Sequence, residues 1–266
     1  MAAKVRTCAL RSGSSGNAIF IGSGNTRLLI DAGVCCRTIE QSLQEIGEDA
    51  ARLDGILITH EHSDHIAGAG VLMRRYQIPL YVNAAAWRAM QTAVGPVDEN
   101  LVHLIATDCP IDFGDLTATS FATPHDAVSP VGYRIETPNG AVAVFTDIGS
   151  VQDNLLAQVS GCRTIYIEAN YDQTMLMAGS YPAPLKQRIA GECGHLSNDD
   201  CAAAVCRLLE TGTSHFILSH ISKDNNYPEL ALLTVSSRLQ EIGARAGEDL
   251  LIGIARRFAV SDPDCF

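Results

Sequence analysis

The richest chemistry in the sequence lies in Thr59-His60-Glu61-His62-Ser63-Asp64-His65. Two imidazoles one residue apart, His60 and His62, project to the same side of an extended segment. Asp64 and His65 follow in the first turn of a helix and point back toward the same space. Four nitrogen or oxygen donors within the six residues 60–65 suit first-row divalent metals and have little use in an apolar core. The bland alternative is a solvated loop that happens to hold three histidines. The position of the run, directly after a buried strand, argues against that. Further donors lie along the chain: Asp31 after an early strand, His125 in Thr-Pro-His-Asp, Asp147 in Phe-Thr-Asp-Ile-Gly and His220 in Leu-Ser-His-Ile-Ser. Taken singly, Asp147 or His125 reads as structural or surface. Beside the four-donor run they become candidate ligands. Glu168 ends an apolar run, and His195 precedes a helix in Gly-His-Leu-Ser. On residues alone these are a strand-end carboxylate and a capping-loop imidazole. His103 and His215 read as ordinary strand residues, His215 facing away from His220 by strand alternation.

These residues need elements to hold them. Apolar patterns predict strands over residues 17–22, 26–31 and 55–59, the last running straight into His60. Ile39, Leu43 and Ile46 predict a helix ending at Gly47, and a second helix is predicted over about residues 64–76. The second half alternates in the same way, with strands over 116–121, 131–136, 141–146, 164–167 and 216–219. Ser197 with Asp200 resembles a capping box opening a helix whose apolar stripe is Cys201, Val205, Leu208 and Leu209. A long helix over 230–242 and a strand over 250–254 close the pattern. Each candidate donor falls at or just past a predicted strand end, and such positions can converge on one rim. The expected fold is α+β, a four-layer αββα sandwich forming a single domain over residues 1–266.

Composition narrows the class. With 266 residues, 47% apolar and 18% charged, the chain has ample material for a buried core and is not a disordered segment. No apolar run approaches the ~20 residues that span a bilayer. The first ten residues lack the apolar stretch of a signal peptide, so a soluble, cytoplasmic protein with no membrane partner is expected. Nine cysteines without a C-x-x-C pair read as reduced thiols. Thirty acidic residues against 19 Lys and Arg give a net charge of −11, which disfavours a broad electrostatic footprint for nucleic acid.

The run H-x-H-x-D-H after a strand, followed in order by His125, Asp147 and His220, resembles the metallo-β-lactamase superfamily over essentially the whole chain. The resemblance implies two divalent metals, Zn²⁺ or Mn²⁺ with Fe²⁺ also suited. His60, His62 and His125 would hold one, Asp64, His65 and His220 the other, and Asp147 would bridge them. Asp31 would support the histidine loop. Glu168 and His195 resemble the hydrogen-bonded pair of the tRNase Z-like phosphodiesterases, in which the histidine is the candidate proton donor. Other branches fit less well. Class B lactam hydrolases lack an equivalent of Asp147, and flavodiiron oxidoreductases carry glutamate where His62 stands. The β-CASP nucleases insert a domain where this chain has only 220 − 147 = 73 residues. The chain has no room for the long basic arm of the tRNA-maturing enzymes. What remains similar is the compact YycJ/WalJ-type branch, matched at Ser12-Gly-Ser-Ser-Gly-Asn17, Thr123-Pro-His-Asp-Ala127, Gly194-His-Leu-Ser-Asn198 and Ser219-His-Ile-Ser222.

That branch implies a metal-dependent phosphodiesterase, a 5′→3′ DNA exonuclease. A hydroxide shared by two metals would attack phosphorus while His195, paired with Glu168, protonates the leaving oxygen. Asp64, Glu168 and His195 are the candidate catalytic residues, and Ser14, Asn17 and Lys223 the candidate substrate contacts. Arg74, Arg75, Lys186 and Arg188 are further possible phosphate grips. Seven ligands with two carboxylates leave the site roughly two positive charges, so it can attract an anion despite the acidic whole. Two other readings stand beside this one. The first is a small-molecule hydrolase of the same fold, acting on a cyclic phosphodiester or, like glyoxalase II, on a thioester. The second is a non-catalytic binding module. The complete ligand set counts against the module, and the Glu168–His195 pair favours phosphodiester over thioester chemistry.

Overall fold

The first half of the chain builds β1 (Val5–Arg11), β2 (Ala18–Ser23), β3 (Thr26–Ile30), β4 (Gly55–Leu57), β5 (Leu80–Asn83) and β6 (Val102–Ile105). With the C-terminal strand Asp264–Cys265 beside β1, they form one sheet in sequential order. The members up to β3 are antiparallel, and β3 to β6 are parallel. Helices α1 (Cys36–Glu45), α2 (Ser63–Ile66), α3 (Ala69–Tyr76) and α4 (Ala84–Val94) fill the connections. Phe20, Leu29, Ile39, Leu43, Ile56, Leu72 and Met73 are among the side chains of one buried cluster, so the apolar stripes of α1 and α3 pack on this sheet. Three short antiparallel strands follow, β7 (Pro110–Asp112), β8 (Thr117–Ala122) and β9 (Val131–Glu136).

The computed structural model describes residues 3–266, which fall into two compact units. The first takes the chain up to Ala122 with Ala127–Asn139 and Arg256–Phe266. The second takes Thr123–Asp126 and Gly140–Ala255. It holds the parallel strands β10 (Val142–Phe145), β11 (Thr164–Glu168), β12 (His215–Ser219) and β13 (Leu251–Ile254), neighbours in that order. Helices α5 (Asp153–Val159), α6 (Gln173–Ala178), α7 (Ala183–Ile189), α8 (Asn198–Leu209) and α9 (Pro228–Glu241) connect them. Strands β10 and β11 are buried at every position, which is why they read as unbroken apolar runs. Helix α8 opens on a reciprocal cap: Ser197 Oγ accepts from Asp200 N–H and donates to Asp200 Oδ2 at 2.6 Å.

Two departures from the sequence pattern have physical causes. The helix expected over about 64–76 breaks into α2 and α3, because neighbouring backbone captures its hydrogen bonds. Asp64 O accepts from Asn17 N–H, and Gly68 N–H donates to Ala32 O, so the bond from residue 68 back to residue 64 is not made. Helices α5 to α7 carried no legible period. They are six or seven residues long, and α7 buries none of its side chains.

Candidate metal centre and catalytic residues

In the first unit the register of β3 on β4 pairs Ile30 with Leu57, so Asp31 emerges beside residues 58–60. Asp31 is buried and left-handed, with φ 61°. Its Oδ1 accepts the Thr59 N–H at 2.8 Å, and its Oδ2 accepts the Thr59 hydroxyl at 2.8 Å and His65 Nδ1–H at 2.7 Å. Burial pushes this carboxyl above its ordinary pKa against the opposing pull of His65 and Thr59. Thr59 Oγ1 in turn accepts from His60 Nδ1 at 3.0 Å. With Nδ1 protonated, His60 and His65 each keep the lone pair on Nε2, the form a metal requires. His60 Nε2 lies 3.0 Å from His62 Nδ1, so the two rings present different nitrogens to one point. Ligand nitrogens on a tetrahedral ion at ~2.0–2.1 Å stand ~3.3 Å apart, so the donor pair fits such an ion. Asp64 Oδ2 is 3.7 Å from His65 Nε2. The loop is braced through its backbone: Asn17 N–H donates to Asp64 O at 2.8 Å, and a Cβ at Gly33 would fall 1.6 Å from that oxygen. Only glycine at 33 lets the ligand loop sit there.

In the second unit three neighbouring parallel strands end at one edge. Asp147 follows β10, Glu168 ends β11 and His220 follows β12, with Glu168 level with Ser219. Asp147 and His220 are left-handed, with φ 58° and 52°, so three of the five non-glycine residues with positive φ among those described are candidate site residues. Strain of this kind collects at functional sites. Glu168 is wholly buried and accepts four N–H donors. Oε1 takes Nδ1–H of His195 at 2.9 Å and of His220 at 2.7 Å, while Oε2 takes Ile148 N–H at 2.9 Å and Leu196 N–H at 3.2 Å. Burial alone would raise its pKa; His195 and His220 overcome that and hold the carboxyl below the usual range. His125 donates Nδ1–H to Gly194 O at 3.0 Å, and burial lowers its pKa, favouring the neutral ligand form. Asp147 Oδ1 lies 3.3 Å from His220 Nδ1, 3.9 Å from His125 Nε2 and 3.9 Å from His195 Nδ1. Donor atoms of Asp147, Glu168, His195 and His220 all fall within 4.8 Å of one another. With Glu168 taken up by four N–H groups, Asp147 and the Nε2 lone pair of His220 are the donors this cluster leaves for a first-row divalent cation.

The structure thus gathers Asp31, His60, His62, Asp64 and His65 in one unit and His125, Asp147, Glu168, His195 and His220 in the other. Ser14 and Lys223 are exposed. Asn17 is buried, and its amide serves Gly13, Asp64 and His65. The other candidate grips have intramolecular work. Arg74 donates to Val94 O and Pro96 O, Arg75 pairs with Glu40, Lys186 donates to Met177 O and Arg188 pairs with Asp126. His103 stacks on Tyr81, and His215 opens β12. Sequence reasoning missed the hub at Thr59, the Gly194 carbonyl and Asn170, whose Nδ2 donates to His220 O at 2.8 Å. It also gave Glu168 one imidazole where it has two. The only signal for Thr59 and Asn170 was adjacency to motif residues.

Comparison with known proteins places these units in context. A family model described as the beta-lactamase superfamily domain matches residues 26–221. The chain is 38% identical over 239 residues to the exodeoxyribonuclease YycJ of Bacillus anthracis, covering 90% of each chain. It is 41% identical over 245 residues to the exodeoxyribonuclease WalJ of Streptococcus pneumoniae serotype 2 (strain D39), covering 91% of each. It is similar to the solved structure of the metallo-β-lactamase fold protein YhfI from Bacillus subtilis, with a TM-score of 0.74 at 18% identity, covering 99% of this chain and 100% of that one. That likeness gives the α+β fold expected from the sequence.

Proposed function

The chain belongs to the β-lactamase superfamily, and from that premise we propose that it is a dinuclear metal-dependent phosphodiesterase, a 5′→3′ exonuclease acting on DNA. The observation that carries this reading is the shared carboxylate of Glu168, which fixes a ligand imidazole, His220, and a second imidazole, His195, through the same oxygen. A phosphodiester leaves as an alkoxide, which needs a proton; a thiolate does not. A histidine held by a buried carboxylate beside a metal-donor set therefore fits phosphodiester cleavage better than thioester hydrolysis. The relatives YycJ and WalJ, named as exodeoxyribonucleases, support DNA as the substrate.

In this reading, which follows the family resemblance, His60, His62 and His125 would hold one cation. Asp64, His65 and His220 would hold the other, and Asp147 would serve both. Two bound cations, Zn²⁺ or Mn²⁺, would supply a water of lowered pKa and positive charge for the phosphate oxygens. Asp31 and Glu168 keep Nδ1–H on His65 and His220, so both rings stay competent ligands. That water, having released one proton to solvent, would bond to phosphorus as hydroxide while the ester P–O bond breaks, and His195 passes its Nε2 proton to the departing oxygen. Ser14 and Lys223 are the proposed contacts to substrate phosphates, while Asn17 reaches the substrate only through the loop it braces.

A three-substrate comparison tests the proposal: end-labelled DNA, bis(p-nitrophenyl) phosphate and a glutathione thioester, each with Mn²⁺ and with Zn²⁺. Release of mononucleotides from the 5′ end is expected. Thioester turnover without DNA cleavage would replace this reading with the small-molecule hydrolase.

A further inference from the structure

The loop Ser12-Gly13-Ser14-Ser15-Gly16-Asn17 meets a C-terminal arginine within the first unit. Ser12 N–H donates to Arg256 O at 3.1 Å, and Arg256 N–H donates to Ser261 Oγ at 2.9 Å, which fastens the segment after β13. Arg257 then lies over Gly13. A Cβ built on Gly13 would come 2.9 Å from Arg257 Cζ and 3.0 Å from each of Nη1 and Nη2. Near-equal distances to three atoms of the guanidinium mean that its plane lies face-on above this backbone. A side chain at 13 would displace it, and a φ of 134° independently selects glycine there. Arg257 Nη1 reaches Ser15 Oγ at 3.4 Å, and Cζ sits 5.8 Å from the centre of the Phe258 ring. Phe258 is 71% exposed, the highest value among the exposed large apolar side chains described. Ser14 and Ser15 are exposed as well. At the far end of the loop, Asn17 N–H donates to Asp64 O at 2.8 Å and its amide touches His65.

A planar cation, two hydroxyls and an open aromatic face therefore stand together on the loop that braces two proposed ligands. We propose that Arg257 and Phe258 form a grip for the DNA strand. The guanidinium, with the Ser14 and Ser15 hydroxyls, takes a backbone phosphate, and the Phe258 ring stacks on a base of an unpaired end. A guanidinium presents a fork of donors matched to two phosphate oxygens, and a ring accepts the face of any base, so the grip reads strand chemistry without sequence preference. An arginine laid flat over glycine has already lost much of its rotamer freedom, which lowers the ordering cost of binding. The inference rests on the nuclease reading above.

The test is steady-state hydrolysis of a single-stranded DNA oligonucleotide by the metal-loaded protein across a salt series. Arg257→Ala is expected to raise KM by ~10-fold or more with kcat little changed. It should also flatten the dependence of log(kcat/KM) on log salt by ~0.7, one phosphate contact. Arg257→Lys keeps the charge without the planar fork and should restore the slope but only part of the KM. Phe258→Ala should raise KM by ~5-fold or more without changing the slope. Arg245→Ala, whose exposed side chain pairs with Glu248 ahead of β13, is the control and keeps the wild-type KM and slope. Oligonucleotide turnover with wild-type KM and slope in Arg257→Ala overturns the grip alone. No oligonucleotide turnover by the wild-type protein, with bis(p-nitrophenyl) phosphate still cleaved, removes the DNA reading and the grip with it.

Discussion

Replacing Glu168 by glutamine changes one acceptor oxygen into a donor at a site with four N–H groups pointing at it. If the new NH₂ faces Ile148 and Leu196, two buried backbone N–H groups lose their acceptor. At ~1–3 kcal/mol for each buried donor left unsatisfied, the cost is about 2–6 kcal/mol. If it faces the histidines instead, both rings must move the proton from Nδ1 to Nε2, and His220 then offers a metal no lone pair there. Loss of such an orienting partner weakens metal binding by ~10–100-fold. Either way Glu168→Gln is a lesion of structure or of metal affinity, rather than a mild weakening of His195. Urea unfolding gives the first quantity and metal analysis of the purified variant the second. The sign with pH follows. The folded carboxyl is held below its ordinary value of ~4.3, so its stabilisation is present above that pH and lost as pH falls through the folded value. The variant should therefore approach the wild-type stability in acid. A loss under ~1 kcal/mol at neutral pH, with wild-type metal content, would refute the shared-carboxylate argument.

The proton-donor role predicts that His195→Ala keeps its metals but slows cleavage of poor leaving groups by ~10²–10⁴, with a much smaller loss on p-nitrophenyl esters. Equal losses on both leaving groups would make His195 a positioning residue. Among the thiols, hydrogen bonds from Thr38 hold exposed Cys35 below its ordinary pKa, while burial and Glu40 push neighbouring Cys36 up to about 12. Limiting iodoacetamide near neutral pH should label Cys35 ahead of exposed Cys109 and Cys36 well after both; labelling of Cys109 first would contradict this. Each compact unit is assembled from separated stretches of chain, so one cooperative unfolding transition is expected for a single domain, and two resolved transitions would overturn that expectation.

Much of the candidate site is legible because its chemistry is carried by residue types that a core does not use. Three histidines and an aspartate in six residues announce themselves, and strand ends could be placed from apolar runs such as residues 142–145 and 164–167. What the pattern could not show was the direction of each polar atom. Nothing in the order of residues says that Thr59 bonds three site residues, or that Glu168 reaches His220 as well as His195. Those contacts depend on strand register and on left-handed backbone at Asp31, Asp147 and His220. The split between α2 and α3 was hidden for a similar reason, since residues 17 and 32 make it from far along the chain. The loop at Gly13 had a turn composition common to many proteins, and its partner Arg257 lies 257 − 13 = 244 residues away.

The proposed function has two metals, held by seven residues, cleaving a DNA strand. Its most direct test is to strip the protein with a chelator, return Mn²⁺ or Zn²⁺ in measured equivalents, and follow 5′-labelled DNA. No cleavage is expected from the stripped protein, and activity should saturate at two equivalents per chain. Full activity at one equivalent, or cleavage that survives chelation, would contradict it.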